Sequence, residues 1–380
     1  MAKARTIEHM AVGKAQRIAV IGTGIAGAAC AHALSLAGHS VHVFDKSRGP
    51  GGRLATRRVE WVDRRGQACA TRLDHGAVGI TARSEAFRAF VDRALHEGWL
   101  SCWSPVLAAG SSPPEDGMRL HVPVPDMPEL CRRLLDGAAA TWSFAVEGLH
   151  RSPLGWQVQG SGVRHGAHFE TVVLAVPPAQ AAPLLAPHRR DWARHAAVAP
   201  MQPCWTLMGV ADVAAEAREP GPEWDLARPP AGPLALAMRS DARPGRPRVP
   251  GQAHWVVHAR AGWSRRHLEQ APAWVQQQMQ AALAECLGRP VDWQYCTVHR
   301  WRYALPHAQR VAPAEPCWWD AAQGLGVCGD FLGGSGVEGA WLSARSLAAA
   351  LLQPAPEAVD ARAALAADEA APPAARRLVA

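Results

Sequence analysis

The chain has 380 residues, of which 48% are hydrophobic and 19% charged, and this is the composition of a globular protein. Because single hydrophobic cores stop growing at roughly 250–300 residues, we expect two domains. No uninterrupted apolar run reaches the roughly 18–20 residues of a membrane span, and residues 1–16 lack the apolar stretch of a secretory signal. We therefore expect a cytoplasmic protein with no membrane partner.

Arginine supplies almost all of the positive charge. The formal net charge is +7, although lysine occurs only at Lys3, Lys14 and Lys46. Arginine suits anionic small molecules such as phosphates, and no basic run interleaved with aromatic residues favours nucleic acid. The nine cysteines show neither CxxC nor Cys/His spacing, so we expect reduced thiols and no metal site.

A strand–helix–strand unit is predicted near the start of the chain. Residues 17–21 form a short apolar run, 28–37 are rich in alanine, and 40–45 are apolar and end in an acid. This order predicts a βαβ unit of the usual size, about 30 residues. Apolar runs at 171–176 and 325–328 predict further strands of the same domain, which is then assembled from separated pieces.

The segments between those pieces have a different character. Tryptophan-rich runs at 203–210, 253–259 and 296–303 predict strands, and 270–286 predicts a helix, so a mixed α+β domain is inserted. After Leu352 the chain lacks enough large apolar side chains to pack. The expected division is 17–83, 121–190 and 311–352 for the first domain, 84–120 and 191–310 for the second, and 1–16 and 353–380 for flexible tails.

Residues 22–27, GTGIAG, form a GxGxxG motif between the first strand and the first helix. Glycine at Gly22, Gly24 and Gly27 permits the tight turn, the approach of a pyrophosphate and close helix–strand packing. Asp45 closes the second strand, where a carboxylate can accept hydrogen bonds from a ribose. The pattern predicts a dinucleotide site rather than a purely structural glycine turn, and it favours an adenosine ribose without a phosphate.

The segment after Asp45 distinguishes FAD from NAD. Gly51-Gly52 and Arg53 follow the acidic strand, where a longer cofactor bends back across its pyrophosphate, and a plain NAD domain has no need of them. A basic surface loop is the alternative. The turn at 74–77, DHGA, can place backbone N–H groups near the flavin ring, or it can be a loop without that role.

A second glycine-rich signature occupies residues 326–340. Asp330 follows a predicted strand and can hold ribityl hydroxyl groups. A helix that begins near Val337 would direct its positive end at the flavin N1–C2=O edge, where negative charge accumulates on reduction. The alternative is a glycine-rich turn that caps a core helix, but the two ends of the chain together favour FAD.

The combination VIGTGIAG, FDKSRGPGGRLATRR, LDHGA, HRWRYALP and GVCGDFLGGSGVEGAWLSARS resembles the renalase-like branch of the flavin amine oxidase superfamily. The resemblance extends over most of 17–352. It implies an α/β fold, in which a Rossmann-like FAD-binding domain of the p-hydroxybenzoate-hydroxylase or monoamine-oxidase type carries an inserted α+β substrate domain. It also implies non-covalent FAD and the oxidation of misreduced dihydronicotinamide dinucleotides, with molecular oxygen reduced to hydrogen peroxide.

The motifs and the resemblance together give the candidate site residues. His258 is the catalytic candidate, because it falls where renalases present a histidine to the substrate; a hydrogen-bonded core histidine is the alternative. Cys328 lies close to the expected flavin, but a buried thiol is the expectation there. The candidate cofactor contacts are Gly22, Gly24, Ile25, Ala26, Gly27, Asp45, Lys46, Gly52, Arg53, His75, Gly76, Gly329, Asp330, Val337 and Glu338.

Two departures from the family pattern leave the reaction open. The chain reads AMRSDARPGR at 237–246, where bacterial relatives carry an asparagine/serine stretch, and it lacks the substrate-domain lysine by which amine oxidases hold a water against flavin N5. An amine oxidase or desaturase that acts on an amine or an apolar polyene is one rival. A flavin-binding sensor or interaction protein without turnover is another, and the sequence leaves the oligomeric state open.

Overall fold

The computed structural model describes residues 14–111, 119–213, 224–307 and 315–353. Its strands are β1 Arg17–Ile21, β2 Ser40–Phe44, β3 Thr56–Val62, β4 Ala68–Asp74, β5 Leu100–Trp103, β6 Leu120–Pro123, β7 Ala139–Thr141, β8 Val146–Ser152, β9 Gly155–Gly160, β10 Val163–Arg164, β11 Thr171–Leu174, β12 Met201–Asp212, β13 Leu226–Ala227, β14 Leu234–Arg239, β15 Gln252–Ala259, β16 Asp292–Pro306, β17 Trp318–Asp320 and β18 Leu325–Val327. Its helices are α1 Ile25–Leu36, α2 Glu85–His96, α3 Glu129–Leu134, α4 Pro178–Leu185, α5 Arg190–Val198, α6 Ala261–Arg266, α7 Pro272–Leu287, α8 Asp330–Gly333 and α9 Gly336–Leu352.

A six-stranded sheet carries the glycine-rich motif. Its strand order is β17-β18-β11-β1-β2-β7, and every neighbouring pair is parallel except β17 with β18. The inner strands β1 and β11 are buried almost throughout, which explains why their sequences are continuous apolar runs rather than alternating ones. This is a doubly wound Rossmann-like arrangement, and the predicted α/β fold class is confirmed.

Helices cover both faces of this sheet. On one face α1 packs against α9, and small residues fill most of the buried side of α1, so the two helices approach closely. A Cβ at Gly27 would lie 1.8 Å from the carbonyl oxygen of Gly22, so only glycine fits where α1 meets the end of β1. On the other face α4, α5 and the small sheet β10-β9-β8 bury a second apolar cluster.

A five-stranded antiparallel sheet, in the order β13-β14-β15-β12-β16, forms the other large layer. One of its faces packs on α7, where Val275, Met279 and Leu283 are fully buried. The opposite face packs on the hairpin β3–β4 and the pair β5–β6, through Val59 and Leu73 among others. That second face is therefore turned toward the segment that follows Gly51-Gly52. The candidate site lies where this face and that segment meet.

The sequence pattern located the elements with regular apolar runs. The βαβ unit is confirmed as β1, α1 and β2, and the predicted elements of the insert are confirmed as β12, β15, β16 and α7. The pattern does not predict the β3–β4 hairpin, because only Val59, Leu73 and Asp74 of its strands are buried. The domain boundaries stay a prediction, and the predicted tails 1–16 and 353–380 lie almost wholly outside the described residues. Within the described segments, no helix has the length and apolarity to cross a membrane.

Candidate cofactor site and active site

The glycine-rich loop between β1 and α1 is held by two neighbouring segments. The N–H of Gly22 donates to the carbonyl oxygen of Phe44 at 2.8 Å, and Gly22 has a φ of +98°, a conformation that favours glycine. The N–H of Gly51 donates to the carbonyl oxygen of Thr23 at 2.9 Å. The glycine pair after β2 therefore lies directly beside the GxGxxG loop.

Gly24 differs from the other two glycines of the motif. A Cβ added at Gly24 would meet only the Cα of Gly52 at 3.9 Å and the carbonyl oxygen of Gly51 at 4.0 Å, which are ordinary contacts. The protein itself leaves this position open. Gly24 also caps α1, whose first turn receives no side-chain cap and begins with the buried residues Ile25 and Ala26. Backbone N–H groups at such a helix start suit a phosphate.

Asp45 organises this loop. One carboxylate oxygen accepts hydrogen bonds from the Thr23 backbone N–H at 2.8 Å and from the Thr23 hydroxyl at 2.6 Å. The other accepts the Ser47 backbone N–H at 2.8 Å. A carboxylate offers about four acceptor positions, so three are used here and one stays available for a ribose hydroxyl. The predicted ribose ligand is thus also a structural residue.

Arg53 and Asp330 contact each other. The two guanidinium Nη atoms of Arg53 donate to the two carboxylate oxygens of Asp330 at 2.6 and 2.8 Å, and Nη1 also donates to the carbonyl oxygen of Ala304 at 2.9 Å. Asp330 is 3% exposed, whereas the Arg53 side chain is 32% exposed. This pair joins the glycine loop after β2 to the end of β18 and to the last residues of β16.

The turn at residues 74–77 packs against the same loop. A Cβ at Gly76 would lie 2.0 Å from the carbonyl oxygen of Arg53, and the N–H of Ala77 donates to that oxygen at 2.9 Å. The ring of His75 stacks on Trp301 of β16, with centroids 5.3 Å apart, and Trp301 Nε1 donates to the His75 carbonyl oxygen at 3.1 Å. His75 Nδ1 is buried and has no hydrogen-bond partner within the described residues.

Three polar side chains form a row across the large sheet. Thr206 of β12 pairs with His258 of β15 on one side and with His299 of β16 on the other. All three therefore lie on the same face, which elsewhere carries apolar residues such as Met208. The ring of His299 lies edge-on to that of His75, with centroids 4.9 Å apart. The row thus brings three histidines together beside Trp301.

All three histidines are held neutral at neutral pH. Burial is the largest cause that lowers the pKa of His75 to about 3; repulsion from a charge at His299, Arg57 or His258 acts in the same direction, and a backbone hydrogen bond at Leu73 opposes it. Burial and the charge of Arg243 lower the pKa of His258 to about 4, against a hydrogen bond to the His75 carbonyl oxygen that raises it. Burial and the charge of Arg57 also lower the pKa of His299. Among the described residues, no group of three or more ligating side chains could hold a metal ion.

His258 has one ring nitrogen that the protein leaves free. Its Nε2 is buried and has no hydrogen-bond partner among the described residues. In a neutral imidazole one ring nitrogen carries the proton and the other is an acceptor. The Nε2 of His258 therefore offers the site either a lone pair or an N–H, according to the tautomer.

A buried cluster of charges supports the His75 turn from behind. Asp74 Oδ2 accepts hydrogen bonds from Arg243 Nη1 at 2.9 Å and from Arg246 Nε at 2.8 Å, while Oδ1 accepts the Thr56 hydroxyl. Arg243 also donates to the carbonyl oxygen of Val78. Burial lowers the pKa of Arg243 to about 10, so it stays charged at neutral pH. Two guanidinium groups thus share one carboxylate, and one positive charge is left in excess.

The remaining candidate residues have local partners. Lys46 is exposed, and its Nζ lies 3.4 Å from Gln180 Oε1. The Glu338 carboxylate accepts the Arg83 and Ser84 backbone N–H groups at 2.9 and 2.6 Å, so in the structure it joins the first turn of α9 to the start of α2. Val337 packs against the core behind the sheet.

A hydrogen bond to α9 also fixes the backbone at Gly329, just after β18. The N–H of Gly329 donates to the Ser343 hydroxyl of α9 at 2.9 Å. Cys328, the preceding residue, is fully buried, and a hydrogen bond with Cys30 together with burial raises its pKa well above the usual value. The Cys328 thiol is therefore protonated and unreactive at neutral pH.

Sequence reasoning missed Thr206, His299, Arg57 and Arg243 as members of the site, and for Trp301 it favoured a packing role over a place in a substrate cage. His299 and Trp301 alternate along β16 with Val298 and Arg300, and that period of two could have shown that they share a face. Nothing local in the sequence indicates that this face meets His75. The contact depends on strand pairing over long sequence distances.

Comparisons with known proteins show which proteins share this fold. The model of the NAD(P)-binding Rossmann-like domain matches residues 20–94. An oxidoreductase from Methanosarcina mazei is 14% identical with a TM-score of 0.62, and the match covers 87% of this chain and 99% of that one. Cyclohexylamine oxidase from Brevibacterium oxydans IH-35A is 12% identical with a TM-score of 0.59, covering 89% and 99%. Reduced UDP-galactopyranose mutase is 11% identical with a TM-score of 0.62, covering 91% and 98%. The chain therefore shares the α/β fold of these proteins, including its Rossmann-like dinucleotide-binding domain.

Proposed function

We propose that this protein is an FAD-dependent oxidoreductase of the renalase-like type. It would oxidise a dihydronicotinamide or a similar small ring compound by hydride transfer, with molecular oxygen reduced to hydrogen peroxide. The observation that carries the proposal is that the protein leaves groups unpartnered at both ends of the candidate site. At one end the position of Gly24 is open, and at the other the buried imidazole nitrogens His75 Nδ1 and His258 Nε2 have no partner among the described residues. The ion pair of Arg53 with Asp330 joins the glycine loop after β2 to the segment after β18.

The residues present fit a bound FAD. The start of α1 and the space at Gly24 would hold the pyrophosphate, and the fourth acceptor position of Asp45 would take a ribose hydroxyl. Gly329, Asp330, Val337 and Glu338 lie at the start of α8 and α9, where the ribityl chain and the flavin edge are expected. When bound, FAD supplies the ring that accepts hydride and returns electrons to oxygen.

The protein's own contribution is orientation in a dry site. The unpartnered Nε2 of the neutral His258 suits a nicotinamide carboxamide, which carries both an N–H and a C=O and so can bond to this nitrogen in either tautomer. Thr206 is fully buried beside it, and His75, His299 and Trp301 add ring surfaces that exclude water. Hydride transfer needs no proton from these groups, so their low basicity does not oppose it.

The site supports non-covalent attachment of the flavin. Cys328 lies next to Gly329, but its buried thiol is directed to Cys30 and its pKa is raised, so it lacks the thiolate needed to attack a ring. Acid precipitation of the purified yellow protein should release FAD into the supernatant. Colour that stays with the pellet would contradict this part of the proposal.

Anaerobic stopped-flow spectroscopy tests the reaction. The flavin absorbance should disappear quickly on mixing with a 2- or 6-dihydronicotinamide dinucleotide and slowly with benzylamine. Readmission of air should return the absorbance and yield one hydrogen peroxide per reduced flavin. The fold of cyclohexylamine oxidase is similar, so amine oxidation is the competing reaction. Faster reduction by benzylamine would replace our proposal with an amine oxidase, and no reduction by either compound would favour a sensor.

A further inference from the structure

Arg57 lies on the face of β3 that is turned to the five-stranded sheet. Side chains alternate between the two faces of a strand, so Arg57 shares its face with Val59 and Trp61. Val59 is buried in the apolar cluster between hairpin and sheet, and Trp61 Nε1 donates to Gln294 Oε1 of β16 at 3.0 Å. Arg57 continues this row toward the end of the hairpin that leads into His75.

The guanidinium of Arg57 is exposed, and no hydrogen bond or ion pair occupies it within the described residues. Other arginines near the site differ. Arg53 is bound to Asp330, and Arg243 and Arg246 are bound to Asp74. The charge of Arg57 reaches both His75 and His299, since it lowers the pKa of each. A free guanidinium thus stands at the histidine cluster.

The charges around this cluster are of one sign. The permanent charges that lower the pKa values of His75, His258 and His299 are those of Arg57 and Arg243, and no carboxylate of the described residues appears among the causes. His254, on the same strand as His258, differs: burial lowers its pKa, but the carboxylate of Asp241 opposes that shift. The nearest carboxylates of the site are neutralised, Asp330 by Arg53 and Asp74 by two arginines. An ammonium group would therefore be repelled from the site, and an anion would be attracted.

We propose that Arg57 binds an anionic oxygen group of the substrate, a phosphate or a carboxylate, at the entrance of the histidine cluster, and that the site selects against cationic amines. A planar guanidinium matches both anions with two parallel hydrogen bonds, which makes it a selective contact and not only a point charge. This inference deepens the proposed function, because it gives the charge of the substrate of that same site. It does not depend on which ring donates hydride.

Isothermal titration calorimetry with benzoate and benzylamine tests the inference directly. The two compounds share a ring and differ in the sign of their charge, and neither has to react. Benzoate should bind about tenfold or more tightly than benzylamine, as expected for a charge-assisted hydrogen bond. In Arg57→Ala this preference should disappear, and in Arg57→Lys it should be partly retained. Arg58→Ala is the matched control, because Arg58 is also exposed but lies on the opposite face of β3.

A second pair of ligands separates phosphate from carboxylate as the bound group. Nicotinamide mononucleotide and nicotinamide riboside differ by one phosphate, so a preference for the mononucleotide that Arg57→Ala removes would assign Arg57 to phosphate. Equal binding of benzoate and benzylamine by the unmodified protein, or a preference that survives in Arg57→Ala, would overturn the inference. Calorimetry measures the binding of these ligands whether or not dihydronicotinamides reduce the flavin. A failure of the anion-binding inference can therefore be distinguished from a failure of the proposed reaction.

Discussion

Arg53 and Asp330 stand 277 residues apart in the sequence and form a two-pronged ion pair with distances of 2.6 and 2.8 Å. The pair joins the segment after β2 to the segment after β18, and both segments border the candidate cofactor site. Both residues are predicted from sequence as cofactor contacts, Arg53 near the pyrophosphate and Asp330 near the ribityl chain. Their mutual contact adds a structural role that the motifs alone do not indicate.

Removing the cation of this pair should destabilise the protein. Arg53→Ala leaves the Asp330 carboxylate buried without its partner. We expect the free energy of unfolding to fall by about 2–4 kcal/mol. This is less than for a fully buried pair, because Arg53 is partly exposed. Urea unfolding monitored by tryptophan fluorescence measures this. Arg64→Ala is the control, because Arg64 and Asp292 form an exposed pair, 63% and 53% exposed, and its loss should have no measurable effect. Equal stabilities of Arg53→Ala and the unmodified protein would show that the pair is not a structural link.

The second and third glycines of GxGxxG should respond differently to substitution. Gly24→Val places a side chain where the protein has only ordinary contacts, so the fold should be retained while the flavin is lost. Gly27→Ala puts its Cβ 1.8 Å from the Gly22 carbonyl oxygen, so the fold itself should be weakened. Flavin absorbance per protein and the thermal midpoint, measured on both variants, separate the effects. A Gly24→Val protein with full FAD content would show that no phosphate approaches this glycine.

The sequence predicted the parts of the site that are encoded locally. The βαβ unit, the acid at the end of β2 and the glycine pair after it follow one another within residues 17–52, and each has a conformational reason to be where it is. The histidine cluster could not be predicted in this way. Thr206, His258 and His299 meet only through the register of three strands, and a shift of one residue in any strand would turn its side chain to the opposite face.

The buried charges could not be predicted from the sequence for a related reason. Arg243 lies in the segment AMRSDARPGR, which the sequence shows only as a departure from the expected pattern. An arginine is rarely fully buried unless it is paired, and its partner Asp74 lies 169 positions earlier in the chain. No local pattern connects the two residues. The electrostatic character of the site therefore became apparent only from the folded structure.

His258 should affect the rate of flavin reduction and leave flavin binding unchanged. We proposed that its free Nε2 contacts the substrate and not the pyrophosphate, so His258→Ala would remove one orienting contact. We expect the limiting rate constant for reduction by a dihydronicotinamide to fall about tenfold to a hundredfold at constant FAD content. His258→Gln keeps an acceptor near the same place and should recover part of the rate. Unchanged reduction by His258→Ala would assign this histidine to the core.

Acid should destabilise the protein through the same histidines. Burial lowers the pKa of His258 from its usual 6.5 to about 4, and that of His75 to about 3. Below pH 6.5 the unfolded chain binds protons at these positions that the folded chain does not, so the free energy of unfolding should decrease as the pH falls from 6.5 toward 4. Each such histidine adds a slope that approaches about 1.4 kcal/mol per pH unit.

Replacing His258 alone shows how much of this pH dependence of the free energy of unfolding comes from that histidine. In His258→Gln the group that titrates is gone, so stability should depend less steeply on pH between about 6 and 4 than in the unmodified protein. Urea unfolding at a series of pH values, with pH 8 as the reference at which His258 is neutral in both states, gives the comparison. The difference in the free energy of unfolding between the two proteins should therefore be constant near pH 8 and shift against the unmodified protein as the pH is lowered, because the unmodified protein alone loses the contribution of a buried neutral imidazole. Parallel curves over the whole range would mean that His258 has the same proton affinity in the folded and unfolded chains, and the dry, cation-flanked environment assigned to the site would be wrong.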